Sequence, residues 1–170
     1  MRYVILGQPR TGKTTLAEMI SNKTGYPVFH TDEYRRKFGY HCPHHGFPTE
    51  IDINYQYKFY KVLDTITSIH DDCIIEGSAI YPADVEIFNP DRFVLLSRVG
   101  ITEDEMLYDC RSFDPLDSWT SKRDDTYLLK LFYDYLKYAK EWEEKYSNML
   151  IDTRNFEVGL QEAFNYLVKE

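Results

Sequence analysis

A three-layer α/β architecture, with a five-stranded parallel sheet between two layers of helices, is predicted by two features of this sequence. Five short strand-like runs at residues 3–6, 28–30, 73–75, 93–96 and 149–151 alternate with segments whose apolar residues recur at helical spacing. Runs of this kind, apolar at nearly every position, belong to strands covered on both faces, as in a parallel sheet with crossover helices. Between the first run and the first helical segment lies Gly7-Gln8-Pro9-Arg10-Thr11-Gly12-Lys13-Thr14-Thr15, which fits the phosphate-binding loop pattern G-x-x-x-x-G-K-[ST] in the strand-to-helix setting that pattern requires.

The loop's residue types follow from what a phosphate needs. Gly7 and Gly12 let the backbone turn tightly and bring successive N–H groups to an anion. A helix starting near Lys13 adds its unpaired N–H groups and positive dipole end. Lys13 can reach the β- and γ-phosphates of a nucleotide, and Thr14 offers a hydroxyl to Mg²⁺. Gly7, Arg10, Thr11, Gly12, Lys13, Thr14 and Thr15 are therefore the candidate nucleotide-binding residues.

Along the chain, the helix from 13 to about 23 puts Leu16, Met19 and Ile20 on one face, and Gly25 suits a left-handed cap. The strand at 28–30 closes on Thr31-Asp32-Glu33, and Tyr34-Arg35-Arg36-Lys37 opens a short basic helix. Residues 39–49, rich in Gly, Pro and His, read as a loop. Tyr55, Phe59, Val62, Leu63, Ile66 and Ile69 mark a helix from about 50 to 69. After Asp71-Asp72 a buried strand ends at Glu76-Gly77, and residues 93–96 form the fourth strand. Thr102 with Glu105 makes a capping box for a helix to about residue 110. Residues 111–125 are polar and irregular. Leu128, Leu131, Phe132, Tyr135, Ala139, Trp142 and Tyr146 then mark a long helix, residues 149–151 a last strand, and Leu160, Ala163, Phe164, Leu167 and Val168 a final helix.

Composition narrows the function classes. At 170 residues the chain suits one domain with a proper core. With 28 acidic against 20 basic residues, the net charge of −8 repels a polyanion, so nucleic acid is a poor partner and small phosphorylated ligands are favoured. Cys42, Cys73 and Cys110 do not describe a disulfide framework and suit a reducing cytoplasm. No apolar run has the length of a signal peptide core or a membrane span. The 15 tyrosines and 10 phenylalanines are assigned to core and helix surface. No pattern speaks to oligomeric state.

In the loop, in Asp32 after the second strand, in the strand end Ile74-Ile75-Glu76-Gly77, in the polar stretch before the long helix, and in Leu150-Ile151-Asp152-Thr153 before the last one, the chain resembles the P-loop kinases that include adenylate, shikimate, gluconate, uridine and thymidylate kinases. The resemblance implies a P-loop NTPase fold and an ATP- and Mg²⁺-dependent transfer of the γ-phosphoryl group to a small acceptor, a nucleoside or nucleoside monophosphate first among them. It implies that Asp32 binds the acceptor hydroxyl and takes its proton, against the alternative of a helix N-cap. Glu76 would orient Mg²⁺, or else be a solvated strand-end carboxylate. Arg35, Arg36 and Lys37, within a substrate-side insertion at about 33–60, would anchor an anionic group of the acceptor, Arg35 and Arg36 first, or equally form a solvated helix face.

Residues 111–125 would form a lid bringing Arg123 over the phosphates, with Arg111 and Lys122 as competitors for that role and surface pairs with Asp114, Asp117, Asp124 and Asp125 as the plainer reading. Cys42, His44 and His45 have usable zinc spacing but lack a second ligand pair, which favours a substrate-side loop. No Asp-x-x-Gly signature of a GTPase occurs, and the Arg-Glu-Pro and Asp-Arg-Tyr elements of thymidylate kinases are absent. The alternatives are a nucleotide-binding regulatory NTPase, or a kinase of nucleic-acid ends or another small metabolite.

Overall fold

The strand that leads into the loop, β1 (Arg2–Gly7), lies at the centre of a five-stranded sheet of order β2-β3-β1-β4-β5, with β2 (Val28–His30), β3 (Cys73–Gly77), β4 (Arg92–Ser97) and β5 (Leu150–Asp152). Every pairing is parallel. The computed structural model describes residues 1–37, 50–78, 80–112, 123–130, 133 and 144–169, of which 36, 50–53 and 55 are described by backbone alone. The loop at 39–49 with Cys42, His44 and His45, and Lys122 within the predicted lid, lie outside the described residues.

Strand alternation supplies two cores. Val4, Leu6, Ile75, Phe93 and Leu95 face Phe59, Tyr60 and Leu63 of α3 (Glu50–Thr67) and Phe88 of a 3₁₀ segment, Pro82–Phe88. Tyr3, Ile5, Ile74, Val94 and Leu96 face Leu16, Ala17 and Ile20 of α1 (Lys13–Thr24) and Leu160, Ala163 and Leu167 of α5 (Phe156–Val168). The expected three layers are thus present, and both faces of the sheet are covered. The helix after β1 packs on one face and the 3₁₀ segment after β3 on the other, so the two connections diverge and open a crevice at the carboxyl ends of these neighbouring strands.

Several boundaries differ from expectation for local reasons. α3 stops at Thr67, because the hydroxyls of Thr67 and Ser68 both bond to the carbonyl of Asp64; Ile69 is left 79% exposed and takes no part in the core. α2 (Thr31–Lys37) begins directly after β2, which puts Asp32 in its first turn instead of at its N-cap. The 3₁₀ segment, unread in the sequence, starts with Pro82 and ends where Asn89 takes a left-handed φ of 43°.

The capping box is present: Thr102 N–H donates to Glu105 Oε2 at 2.8 Å and Glu105 N–H to Thr102 Oγ1 at 3.3 Å, opening α4 (Glu103–Ser112). Of the predicted long helix, residues 125–130, 133, 144 and 145 are described and helical, with Leu128 buried. No helix among the described residues is long and apolar enough to cross a membrane.

Candidate active site

The loop between β1 and α1 owes its shape to its two glycines. Gly7 pairs with Leu96 across the sheet at φ 147°, where a Cβ would lie 2.2 Å from the Leu96 carbonyl oxygen. Gly12 has φ 88°, and a Cβ there would meet the Phe156 ring at 2.7 Å. Between them Arg10 is held at φ 65°, a conformation that costs a non-glycine residue about 1 kcal/mol or more. No side chain caps α1 and its own first turn carries no acidic residue. The loop is braced from inside: Gln8 O accepts from Thr11 Oγ1 at 2.9 Å and from Lys13 Nζ at 2.6 Å.

Lys13 is buried. Desolvation pulls its ammonium below the ordinary lysine value; Glu76 and Asp32 push it back up, and Arg10 lowers it further. Thr14 and Thr15, in the first turn of α1, are exposed. Thr14 Oγ1 donates to Glu76 Oε1 at 3.3 Å, across 62 positions of sequence. Glu76 is only 5% exposed and shares its Oε1 with His30 Nδ1 at 2.6 Å. Asp32, two residues past the end of β2, accepts from Ser78 Oγ at 3.2 Å on Oδ2, and the Arg35 guanidinium lies 4.0 Å from its Oδ1.

The structure therefore brings Lys13, Thr14, Glu76 and Asp32 to one crevice, from the ends of β1, β2 and β3. A hydroxyl and a carboxylate side by side at the loop are hard oxygen donors of the kind that suit Mg²⁺. Among the described residues no cluster of three or more His, Cys, Asp or Glu side chains offers a separate metal site.

A cavity of about 560 Å³ adjoins the loop, a size that suits a nucleotide. Arg10, Gly12, Lys13, Thr14 and Thr15 form one wall; beside Thr153, Arg98, Asp109, Arg154 and Phe156 line the rest. Arg98 and Asp109 are ion-paired and mostly buried. Desolvation holds the Arg98 guanidinium below its ordinary value, opposed by Glu105 and Asp152. Asp152 organises the rim, accepting from Val99 N–H at 3.2 Å and Arg154 N–H at 3.0 Å.

These four wall residues, with His30 and Ser78, were not singled out from sequence. His30 carried a usable signal, since the last residue of a parallel strand lies at the carboxyl edge of the sheet, where the crevice opens. Arg98, Asp109 and Arg154 look like ordinary surface charges until the strand order places β4 and β5 beside the loop.

The predicted lid residues sit elsewhere. Arg111 donates to Arg123 O at 2.6 Å and to Asp125 Oδ1 at 2.7 Å, and the Arg123 guanidinium lies over the Tyr127 ring, 4.8 Å from its centroid. Both arginines are exposed, and neither is among the residues that line the cavity. Arg36 belongs to α2, with its side chain outside the described residues.

Solved structures share this architecture. The chain is similar to a gluconokinase from Sinorhizobium meliloti, at 15% identity over 99% of this chain and 91% of that one, with a TM-score of 0.61. It is similar to a shikimate kinase from Bacteroides thetaiotaomicron at 13% identity, covering 98% and 96%, TM-score 0.58. A deoxyadenosine kinase from M. mycoides, with the products dCMP and dCDP bound, matches at 14% identity over 98% of both chains, TM-score 0.56. No protein-family model matches the sequence, and no curated protein is significantly similar to it. At these identities the likeness is one of fold, and the fold is the three-layer α/β fold of the P-loop kinases.

Proposed function

We propose that the protein is an ATP- and Mg²⁺-dependent phosphotransferase that moves the γ-phosphoryl group to a small acceptor, a nucleoside or nucleoside monophosphate. The observation that carries this reading is the convergence of Lys13, Thr14, Glu76 and Asp32 beside a nucleotide-sized cavity. A regulatory nucleotide-binding module would need the loop but not a carboxylate on the acceptor side of it.

In this reading the loop amides and Lys13 hold the β- and γ-phosphates and offset the charge that builds on them during transfer. Thr14 and Glu76 hold Mg²⁺, which neutralises phosphate charge when bound. The acceptor lies against α2 and the following segment, about 33–60. Asp32, held by Ser78, orients the acceptor hydroxyl and takes its proton as the new O–P bond forms and the bond to the ADP oxygen breaks. Arg35 supplies a cation for an anionic group on the acceptor, with Arg36 beside it in sequence. The nucleotide products in the deoxyadenosine kinase structure support a nucleoside-type acceptor. Residues 111–125 act as the lid and bring Arg123 to the transferring group once both substrates are in place. The loop, Asp32 and a reducing cytoplasmic setting for the thiols fit together in one soluble metabolic enzyme.

The test is ADP release from Mg·ATP with nucleosides, nucleoside monophosphates, sugars and small hydroxy acids offered one at a time. Release that depends on a nucleoside or its monophosphate supports the reading. Release at one rate whatever is offered would indicate a hydrolytic module instead.

A further inference from the structure

We infer that His30 is a positioning residue for the metal corner of this site, setting the Glu76 carboxylate so that it can serve a cation together with Thr14. The inference rests on the proposed role of Thr14 and Glu76 as Mg²⁺ ligands.

His30 and Glu76 are register partners on adjacent parallel strands, so their side chains leave the sheet on the same side. The carboxylate is nearly sealed from solvent and must be satisfied by the protein. A carboxylate oxygen can only accept, so the hydrogen at 2.6 Å is on His30 Nδ1. Thr14 Oγ1 donates to the same oxygen. Both described bonds fall on Oε1: the two donors fix the carboxylate's orientation, and the lone pairs of Oε2 remain for a cation.

The bond to Thr14 also turns that hydroxyl's hydrogen toward Glu76, which leaves its own lone pairs for the metal. A lysine or arginine in place of His30 would hold Glu76 equally firmly but bring a fixed positive charge against the incoming cation. An imidazole supplies the N–H without that requirement. Its side chain is 34% exposed, so little packing depends on it.

The experiment measures binding of a fluorescent ATP analogue while Mg²⁺ is titrated, in wild type, His30→Leu, His30→Ala and His30→Asn. Asparagine places its amide nitrogen as many bonds from Cα as Nδ1, and so restores the donor. Loss of an outer partner of a metal ligand costs about 10- to 100-fold in metal affinity. His30→Leu and His30→Ala should therefore need about 10- to 100-fold more Mg²⁺ for half-effect, with metal-free nucleotide affinity unchanged and His30→Asn close to wild type.

An unchanged Mg²⁺ titration in either folded variant overturns the inference and makes His30 a structural partner of a buried acid. Equal weakening with and without Mg²⁺ also overturns it, because His30 would then act on the loop. Wild-type binding that ignores Mg²⁺ would overturn the metal reading of Thr14 and Glu76 itself, and this inference with it. A Mg²⁺-dependent wild type therefore isolates the test to His30.

Discussion

Lys13 bends back across its own loop, its Nζ donating to Gln8 O at 2.6 Å. The ammonium stays with the loop that must later yield it to phosphate, and Thr11 Oγ1 already satisfies the same carbonyl at 2.9 Å. Exchanging Gln8 O for a phosphate oxygen therefore leaves no orphaned acceptor behind. Lys13→Ala should lower turnover by about 10²- to 10³-fold or more, the usual cost of one preorganised donor. Its thermal transition should stay near that of wild type, because a desolvated charge is lost and Gln8 O keeps its bond from Thr11. Wild-type turnover by a folded Lys13→Ala protein would remove the nucleotide site from this loop.

The same lysine makes binding depend on pH. Burial has lowered its pKa, and a bound polyphosphate raises it again. At pH values between the two, nucleotide binding takes up a proton. Affinity should fall as pH rises through that window. Titration calorimetry near pH 9 in buffers of different ionisation enthalpy reads the uptake directly, at a pH where the nucleotide's own phosphates are ionised. Identical heats in all buffers, or uptake that persists in Lys13→Met, would assign the proton elsewhere.

Asp32→Asn keeps a side-chain oxygen to accept from Ser78 and removes the charge that orients the acceptor. Transfer should slow by roughly 10²- to 10⁴-fold while nucleotide affinity changes little. The competing role is electrostatic, since Asp32 stands in the first turn of α2, where a carboxylate is worth about 0.3–1 kcal/mol. A small loss of stability with transfer intact would settle on that role.

Gly12→Ala meets two separate obstacles: a left-handed backbone costing about 1–2 kcal/mol, and the Phe156 ring at 2.7 Å from the new methyl. Adding Phe156→Ala should recover the part due to the ring and leave the backbone part together with the Leu160 methyl at 2.9 Å. Chemical denaturation of the single and double variants separates the two; full recovery in the double variant would show that backbone strain at Gly12 is negligible.

For the lid, hydrogen exchange through residues 111–125 should slow when a bisubstrate analogue is added. On the proposed closure, Arg123→Ala should cost far more in transfer rate than in ATP affinity, since in this structure its guanidinium lies over the Tyr127 ring and away from the cavity. Equal exchange in both states would leave the Arg111–Asp125 pair as ordinary surface chemistry.

What could be read from the sequence was what is encoded locally. The loop, the alternation that fills both faces of β1, β3 and β4, and the Thr102–Glu105 box depend on neighbours a few residues apart, and each is present in the structure. Asp32 and Glu76 were legible because both lie at strand ends, and parallel strands deliver their ends to one edge. The far wall of the cavity was not. Arg98 and Asp109 pair across a loop and a helix, and Arg154 reaches the same space only because β5 lies beside β4. No spacing along the chain states that order. The end of α3 was missed for a smaller reason: Ile69 continues the apolar rhythm, while two hydroxyls compete for the helix carbonyls just before it.

The contact of Gly12 with Phe156 and Leu160 ties the loop to a helix made long after it. During translation the loop leaves the ribosome early, but the wall behind Gly12 is missing until residues 156–160 have emerged. A nascent chain that has displayed β1 through β4 has the loop but not the side chains that pack behind Gly12. The close packing behind Gly12 can therefore form only once residues 156–160 have been made.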